Sequence, residues 1–130
     1  MLEIITLLLT AFLFGGTVLF SFAFAAFLFT HLPPAEAGKL LRSAFPHFYL
    51  WCMLTSGIAA IPFYWVNPIG TYLLFMVAAT TLPARQILMP AINAATDRDD
   101  QRRFKQLHGL SVAVTLGHIA AVGYALTLLI

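Results

Sequence analysis

Charge is scarce in this chain of 130 residues. Only 9% of its residues are charged and 61% are hydrophobic, whereas soluble domains contain about 25% charged residues. This shortage excludes an ordinary soluble domain. The chain has only seven lysines and arginines, too few for a nucleic-acid-binding surface. The composition therefore predicts an integral membrane protein whose main partner is the lipid bilayer.

Cysteine and the common catalytic motifs are also scarce or missing. The single cysteine, Cys52, excludes an intramolecular disulfide. The sequence contains no Walker loop, no GxSxG, HExxH or CxxC motif and no paired carboxylates. Serine-based and zinc-based hydrolysis therefore have no support. The sequence favours binding or transport over catalysis.

Long apolar segments dominate what is present. They cover residues 4–32, 46–66, 71–94 and 107–130, and about 20 apolar residues suffice for a helix to cross a bilayer. The turn at residues 67–70 is too short for anything but a helical hairpin. We therefore predict one domain, an all-α integral membrane protein that forms an antiparallel four-helix bundle.

Two charged loops, 33–45 and 95–106, are expected on the same side of the membrane. They contain six of the seven lysines and arginines, namely Lys39, Arg42, Arg98, Arg102, Arg103 and Lys105. The positive-inside rule then places both loops in the cytoplasm and both termini outside it. We predict a bacterial-type inner membrane protein in which loop 33–45 lies on the membrane surface and Pro46 opens the second span.

The seventh basic residue, Arg85, lies inside the third predicted span, between Pro83 and Pro90. A cation within hydrocarbon costs at least ~2.5–3.5 kcal/mol on insertion scales, so Arg85 needs a partner. No acidic residue occurs inside any span. The two prolines leave helix carbonyls without a donor and should bend the helix at Pro83. Arg85 is therefore predicted to bind an anion or take part in a proton-linked pathway, to lock the bundle through carbonyl groups, or to extend its charged end to the membrane interface.

The fourth span has a polar face. Its members are His108, Ser111, Thr115 and His118, and their spacing of three, four and three residues places them on one side of a helix. His118 lies about 15 Å into this span, at a depth similar to that of Arg85. We predict that Arg85 faces His118, near Thr81 and Thr115, and that Arg85 and the four polar residues form a ligand-binding pocket in the cytoplasmic half.

Three histidines fall at the predicted cytoplasmic boundary: His31, His47 and His108. Imidazole is a common metal and heme ligand, so these residues are the candidates for a metal site. Their spacing matches no compact metal motif. The alternative is that they are interfacial side chains with an apolar body and a polar tip.

Several stretches of this sequence resemble the transmembrane protein 205-like family. They are Gly15–Phe22 (GGTVLFSF), Leu32–Tyr49, Met89–Asp97 (MPAINAATD) and Arg103–Val112 (RFKQLHGLSV). Bacterial members of that family are mostly catalogued as a domain of unknown function. The resemblance implies four membrane helices and no established reaction. Many relatives have an asparagine close to the position at which this chain has Thr115.

The sequence thus predicts a small membrane protein that binds or transports a small molecule or anion through its polar pocket. A looser similarity to heme proteins of the protoporphyrinogen-oxidase type offers an alternative, a heme-bearing oxidoreductase with His108 or His118 as the axial ligand. A third interpretation is a structural or assembly subunit of a membrane complex. Four helices enclose little volume, so a homo-oligomer or a membrane partner protein fits each interpretation.

Overall fold

The structure of the chain, a computed structural model, describes residues 1–130 and contains no strand. Its four helices are α1 (Leu2–His31), α2 (Pro34–Val66), α3 (Pro68–Asp97) and α4 (Gln101–Thr127), and each is long and apolar enough to cross a membrane. The predicted all-α four-helix bundle is confirmed, and the protein is an integral membrane protein.

Local sequence signals explain where the helices begin. Pro34 is the first residue of α2, a position where the missing N–H of proline has no helical partner anyway. The Asn67 side chain accepts a hydrogen bond from the backbone N–H of Ile69 at 3.0 Å and caps α3. The Asp100 side chain accepts from the N–H of Arg103 at 3.1 Å and caps α4 in the same way.

Helix α2 is longer than the predicted span 46–66. It begins at Pro34 and continues through Pro46, so Pro46 lies inside the helix rather than at its first turn. A proline removes one backbone hydrogen bond, and that loss did not end a helix that packs against its neighbours. Its 33 residues correspond to about 50 Å, well beyond the ~30 Å of a hydrocarbon core. The membrane boundaries along the helix stay a prediction.

Two helices contain π-helical turns. One covers Ala84–Leu88 and directly follows Pro83, so the expected disturbance of the third span at this proline takes the form of a wider helical turn. The other covers Leu19–Phe24 in α1, where no proline marks it. Such a turn rotates the subsequent side chains about the helix axis. Turns of this kind are frequent at functional sites.

The core of the bundle is centred near the α2–α3 hairpin. Leu13, Phe63, Leu74 and Val122 come from the four different helices and are almost completely buried. Gly70 packs against the ring of Phe63 at a place where an added Cβ would overlap that ring. Close approach of this kind holds membrane helices together when lipid is as apolar as the side chains.

Helix α1 packs against its neighbours partly through small residues. Thr10 and Thr17 are buried, and a Cβ on Gly16 would overlap the ring of Trp51. Gly15, in contrast, has no atom near the position of a Cβ and is exposed. The packing surface of α1 thus contains only one of the two adjacent glycines.

Candidate functional site

A cavity of about 550 Å³ opens at the end of the bundle where α1 connects to α2 and α3 connects to α4. We call this end the loop end and the cavity the loop-end pocket. Its polar lining consists of Lys39, Arg42, Asn93, Thr96 and His108. Its volume lies within the ~300–1,000 Å³ of typical small-molecule sites.

The loop-end pocket also has an apolar part. It is formed by side chains from all four helices: Phe29, Leu41, Phe45, Ile92 and Phe104. An apolar wall beside a few convergent polar groups is the usual composition of a ligand site. The pocket can therefore hold a molecule that has both a polar and an apolar part.

The unexpected extension of α2 places three of the lining residues. Lys39, Arg42 and Phe45 recur every third residue, so a continuous helix presents them on neighbouring parts of one face. In a separate surface loop their directions would be independent of the second span. The same helix that crosses the membrane therefore fixes the cations at the loop end.

Arg42 forms the one ion pair in the structure. Its Nη1 and Nη2 atoms donate to Oδ1 and Oδ2 of Asp97 at 2.7 and 2.9 Å, which joins α2 to the end of α3. Both residues lie outside the predicted spans. The hydrogen bonds from Arg42 lower the pKa of the Asp97 carboxyl because they favour its charged form.

The charge of the pocket lining is unbalanced. It includes two cations, Lys39 and Arg42, and no carboxylate. Asp97 compensates Arg42, whereas Lys39 is exposed and has no ion-pair partner. The lining therefore favours a negatively charged group.

His108 is the one residue of the predicted polar pocket that lines this cavity. It is exposed, and its ring lies parallel to that of Phe104, with ring centroids 5.4 Å apart and an interplanar angle of 6°. The stacking fixes the plane of the imidazole at the pocket wall. Either ring nitrogen can then serve as a hydrogen-bonding group for a ligand.

Arg85 lies away from this cavity. Its Nε donates to the backbone carbonyl of Pro46 at 3.1 Å, so the guanidinium of α3 is tied to α2. The predicted contacts were with the His118 side of the bundle and with carbonyls freed on the same helix. The structure instead gives Arg85 an acceptor on a neighbouring helix, and no other hydrogen bond holds its side chain.

His118 is bound to a different residue. Its Nε2 lies 2.7 Å from Oγ1 of Thr80. The same hydroxyl donates to the carbonyl of Met76 at 2.7 Å, and a hydroxyl has one proton to donate. His118 therefore donates from Nε2 to Thr80, which joins α4 to α3.

Ser111 is also paired. Its hydroxyl lies 3.2 Å from the hydroxyl of Tyr49, and both side chains are buried. Thr115 is half-buried on the same helix. The structure thus distributes Arg85, Ser111 and His118 over three separate contacts between helices. A ligand-binding role for these residues and Thr115 stays a prediction.

The boundary histidines are not assembled into a metal site. Nδ1 of His31 lies 2.9 Å from the carbonyl of Phe27, and exposed His47 lines a different cavity. No group of three or more histidine, cysteine, aspartate or glutamate side chains is placed to hold a metal ion. The structure therefore does not bring His31, His47 and His108 together.

Sequence reasoning missed most of the residues that line the loop-end pocket. Lys39 and Arg42 were used only to orient the protein in the membrane, and Asn93 and Thr96 were not singled out. The available signal was the three-residue spacing of Lys39, Arg42 and Phe45. It indicates one helix face only if residues 33–45 are already known to be helical.

One family model matches the chain. It is described as a domain of unknown function, DUF4149, and it covers residues 8–101. Because this match includes well over half of the chain, the protein belongs to the DUF4149 family. This match confirms the prediction of an uncharacterised family. It does not support the transmembrane protein 205-like name. No curated protein and no solved structure matches the chain.

Proposed function

We propose that this member of the DUF4149 family binds an anionic amphiphile in the loop-end pocket. Such a molecule has a phosphate or carboxylate group and an apolar part. The observation that carries the proposal is the pocket lining, which has two cations, an amide, a hydroxyl and an imidazole but no carboxylate. Four of these groups can donate a hydrogen bond to an anionic oxygen, whereas the Thr96 hydroxyl donates to the carbonyl of Ile92 at 3.0 Å and can only accept from a ligand.

Lys39 is the residue we expect to contact the anion first. It has no ion-pair partner, so a ligand does not have to displace one. Arg42 is shared with Asp97, and its fork geometry also suits a phosphate. A hydrogen bond to a charged group contributes about 1.5–3 kcal/mol. Loss of Lys39 is therefore expected to weaken binding strongly.

The apolar wall extends the proposal from a simple anion to an amphiphile. Phe29, Phe45 and Phe104 lie on the same cavity as the cations. Burial of apolar surface contributes about 25 cal/mol per Å², so contact with this wall is expected to add affinity. The shared chemistry fits both a phospholipid headgroup region and a free anionic metabolite, and the experiment below separates them.

We place the loop-end pocket at the cytoplasmic face of a bacterial-type inner membrane. Six of the seven lysines and arginines belong to the loop end, and the positive-inside rule favours that orientation with both termini outside the cytoplasm. A pocket at the end of the spans is then level with lipid headgroups. Anionic lipids of that leaflet are attracted to such a basic region.

The residues deeper in the bundle have a supporting role in this proposal. Arg85, Ser111 and His118 hold neighbouring helices together through the contacts described above, and Thr115 lies between Ser111 and His118. Transport, heme binding and an assembly role were further predictions from the sequence. No contact in the structure favours any of them, so they are not part of the proposal.

Titration of the detergent-purified protein tests the proposal. The two probes are inorganic phosphate and a short-chain, water-soluble phosphatidic acid. We expect the lipid to bind at least about tenfold more tightly than phosphate, and Lys39→Ala to weaken lipid binding by about tenfold, which corresponds to 1.4 kcal/mol. Isothermal titration calorimetry gives both constants.

Arg102→Ala is the matched control. Arg102 is exposed at the loop end and does not line the pocket, so its removal takes away the same charge without a pocket contact. Equal losses of lipid affinity in Lys39→Ala and Arg102→Ala would show that only the overall positive charge of the loop end matters. That result would contradict the proposed site. Tighter binding of phosphate than of the lipid would assign the pocket to free anions, and failure of both probes to bind would refute the proposal.

A further inference from the structure

We infer that a groove on the side of the bundle, between α1 and α2, holds one hydrocarbon chain of a membrane lipid. The groove has a volume of about 720 Å³, larger than that of the loop-end pocket. It lies on other residues and opens sideways rather than at the end of the bundle. We call it the aromatic groove, and the inference is independent of the proposed function.

Close helix packing creates the floor of the aromatic groove. The ring of Trp51 lies against Gly16, where an added Cβ would overlap it. The rings of Phe20 and Phe48 are stacked with centroids 4.0 Å apart and an interplanar angle of 8°. Phe48 is in turn 6.3 Å from Trp51. The result is a continuous and largely apolar aromatic surface.

The π-helical turn of α1 coincides with the groove. The turn covers Leu19–Phe24, and Leu19, Phe20, Ala23 and Phe24 all line the groove. The wider turn changes which side chains of α1 face α2. Small Ala23 on α1 and Ala44 on α2 leave the space that the aromatic residues border.

The lining is apolar, and the surroundings of the groove are lipid. Eight of its ten lining residues are hydrophobic, and His47 is the one titratable side chain. Leu19 and Phe27 on its edge are 65% and 57% exposed, on a helix that is apolar enough to cross a membrane. Lipid chains are therefore the molecules that reach this surface.

The length of the groove matches one leaflet. Its lining on α1 extends from Gly16 to Phe27, a rise of about 16 Å along the helix. Half of a hydrocarbon core of ~30 Å is about 15 Å. A chain of the leaflet at the loop end can thus lie along α1 from Phe27 to Gly16. The flat aromatic floor distinguishes this position from the rest of the lipid-facing surface.

Fluorescence quenching by brominated lipid tests the occupant. The protein has two tryptophans, and Trp65 at the opposite end of α2 is removed by Trp65→Phe, which leaves Trp51 as the reporter. The protein is placed in phosphatidylcholine vesicles whose acyl chains are brominated in increasing proportion. We expect strong quenching that follows the curve for one neighbouring lipid chain. Absence of quenching would overturn the inference.

Variants that fill the groove make the test specific. Ala23→Phe occupies the space from α1 and Ala44→Leu occupies it from α2, each in the Trp65→Phe background. We expect each to reduce quenching of Trp51 at least twofold. Ala26→Phe is the control, because Ala26 is exposed on the same helix but does not line the groove. Equal quenching in the control and in the folded groove-filling variants would overturn the inference.

Discussion

The spanning part of the bundle and its loop end differ in how their polar side chains are paired. In the spanning part, His118 bonds to Thr80, Ser111 lies against Tyr49, and Arg85 donates to a backbone carbonyl. At the loop end, Lys39 has no ion-pair partner. Hydrocarbon offers polar groups no water, which favours partners within the protein, although the buried hydroxyls of Ser21 and Thr71 have none. A polar residue deep in this bundle therefore indicates helix pairing more than ligand binding.

The largest expected effect on stability comes from a glycine-to-alanine substitution, which we compare in the two regions. Gly70→Ala places a Cβ into the ring of Phe63, whereas Gly38→Ala at the loop end meets no atom within 4 Å. We expect Gly70→Ala to lower the free energy of unfolding by about 1–3 kcal/mol, the usual cost of overpacking. Thermal unfolding in detergent measures the change.

Gly38→Ala is the matched control for this comparison. Gly38 lies within α2, and alanine is favoured over glycine inside a helix by about 0.5–1 kcal/mol. The variant should therefore be as stable as the parent protein or more stable. A similar loss in both variants would contradict the contrast between a closely packed spanning part and an open loop end.

A smaller effect is expected from the ion pair of the loop end. Arg42 lowers the pKa of Asp97 in the folded protein. The unfolded chain therefore binds the proton more readily, and the pair stabilises the fold above the ordinary aspartate pKa. That contribution is lost as the pH falls through the lowered pKa. Because both side chains are well exposed, the effect should be small.

Thermal unfolding of the parent protein and of Asp97→Asn, from neutral pH to about pH 3, checks this expectation. The two proteins should differ slightly at neutral pH, and the difference should shrink toward the acidic end. A difference that stays constant over the whole range would mean that the charge of Asp97 does not contribute. Asp99→Asn serves as a control, since Asp99 forms no ion pair.

The architecture was readable from the sequence because it depends on composition and local signals. Four long apolar segments define four helices, and Asn67 with Pro68 marks the hairpin between the middle two. The continuation of α2 through Pro46 was not readable in the same way, because proline lowers helix stability locally while packing along the rest of α2 decides whether the helix continues. Whether a helix continues through a proline depends on tertiary contacts, and the hydrophobic periodicity of the sequence does not report them.

The contacts of the polar residues were only partly predictable. Helical rise predicted that His118 lies at a depth similar to that of Arg85, but it did not fix the rotation of α3 or the partner of His118. His118 bonds to Thr80, whereas the predicted neighbour, Thr81, bonds to the carbonyl of Val77 in its own helix. Adjacent residues point about 100° apart on a helix. The acceptor for Arg85, the carbonyl of Pro46, left no signal in the sequence because every residue has one.

The most direct test of this account is the lipid affinity of Arg85→Gln. Arg85 is the most conspicuous residue of the sequence, and its Nε is held by the carbonyl of Pro46 outside the loop-end pocket. The account predicts that Arg85→Gln unfolds at a lower temperature but binds short-chain phosphatidic acid as tightly as the parent protein does. A folded Arg85→Gln protein that has lost this binding would contradict the account and place the anion site deep in the bundle.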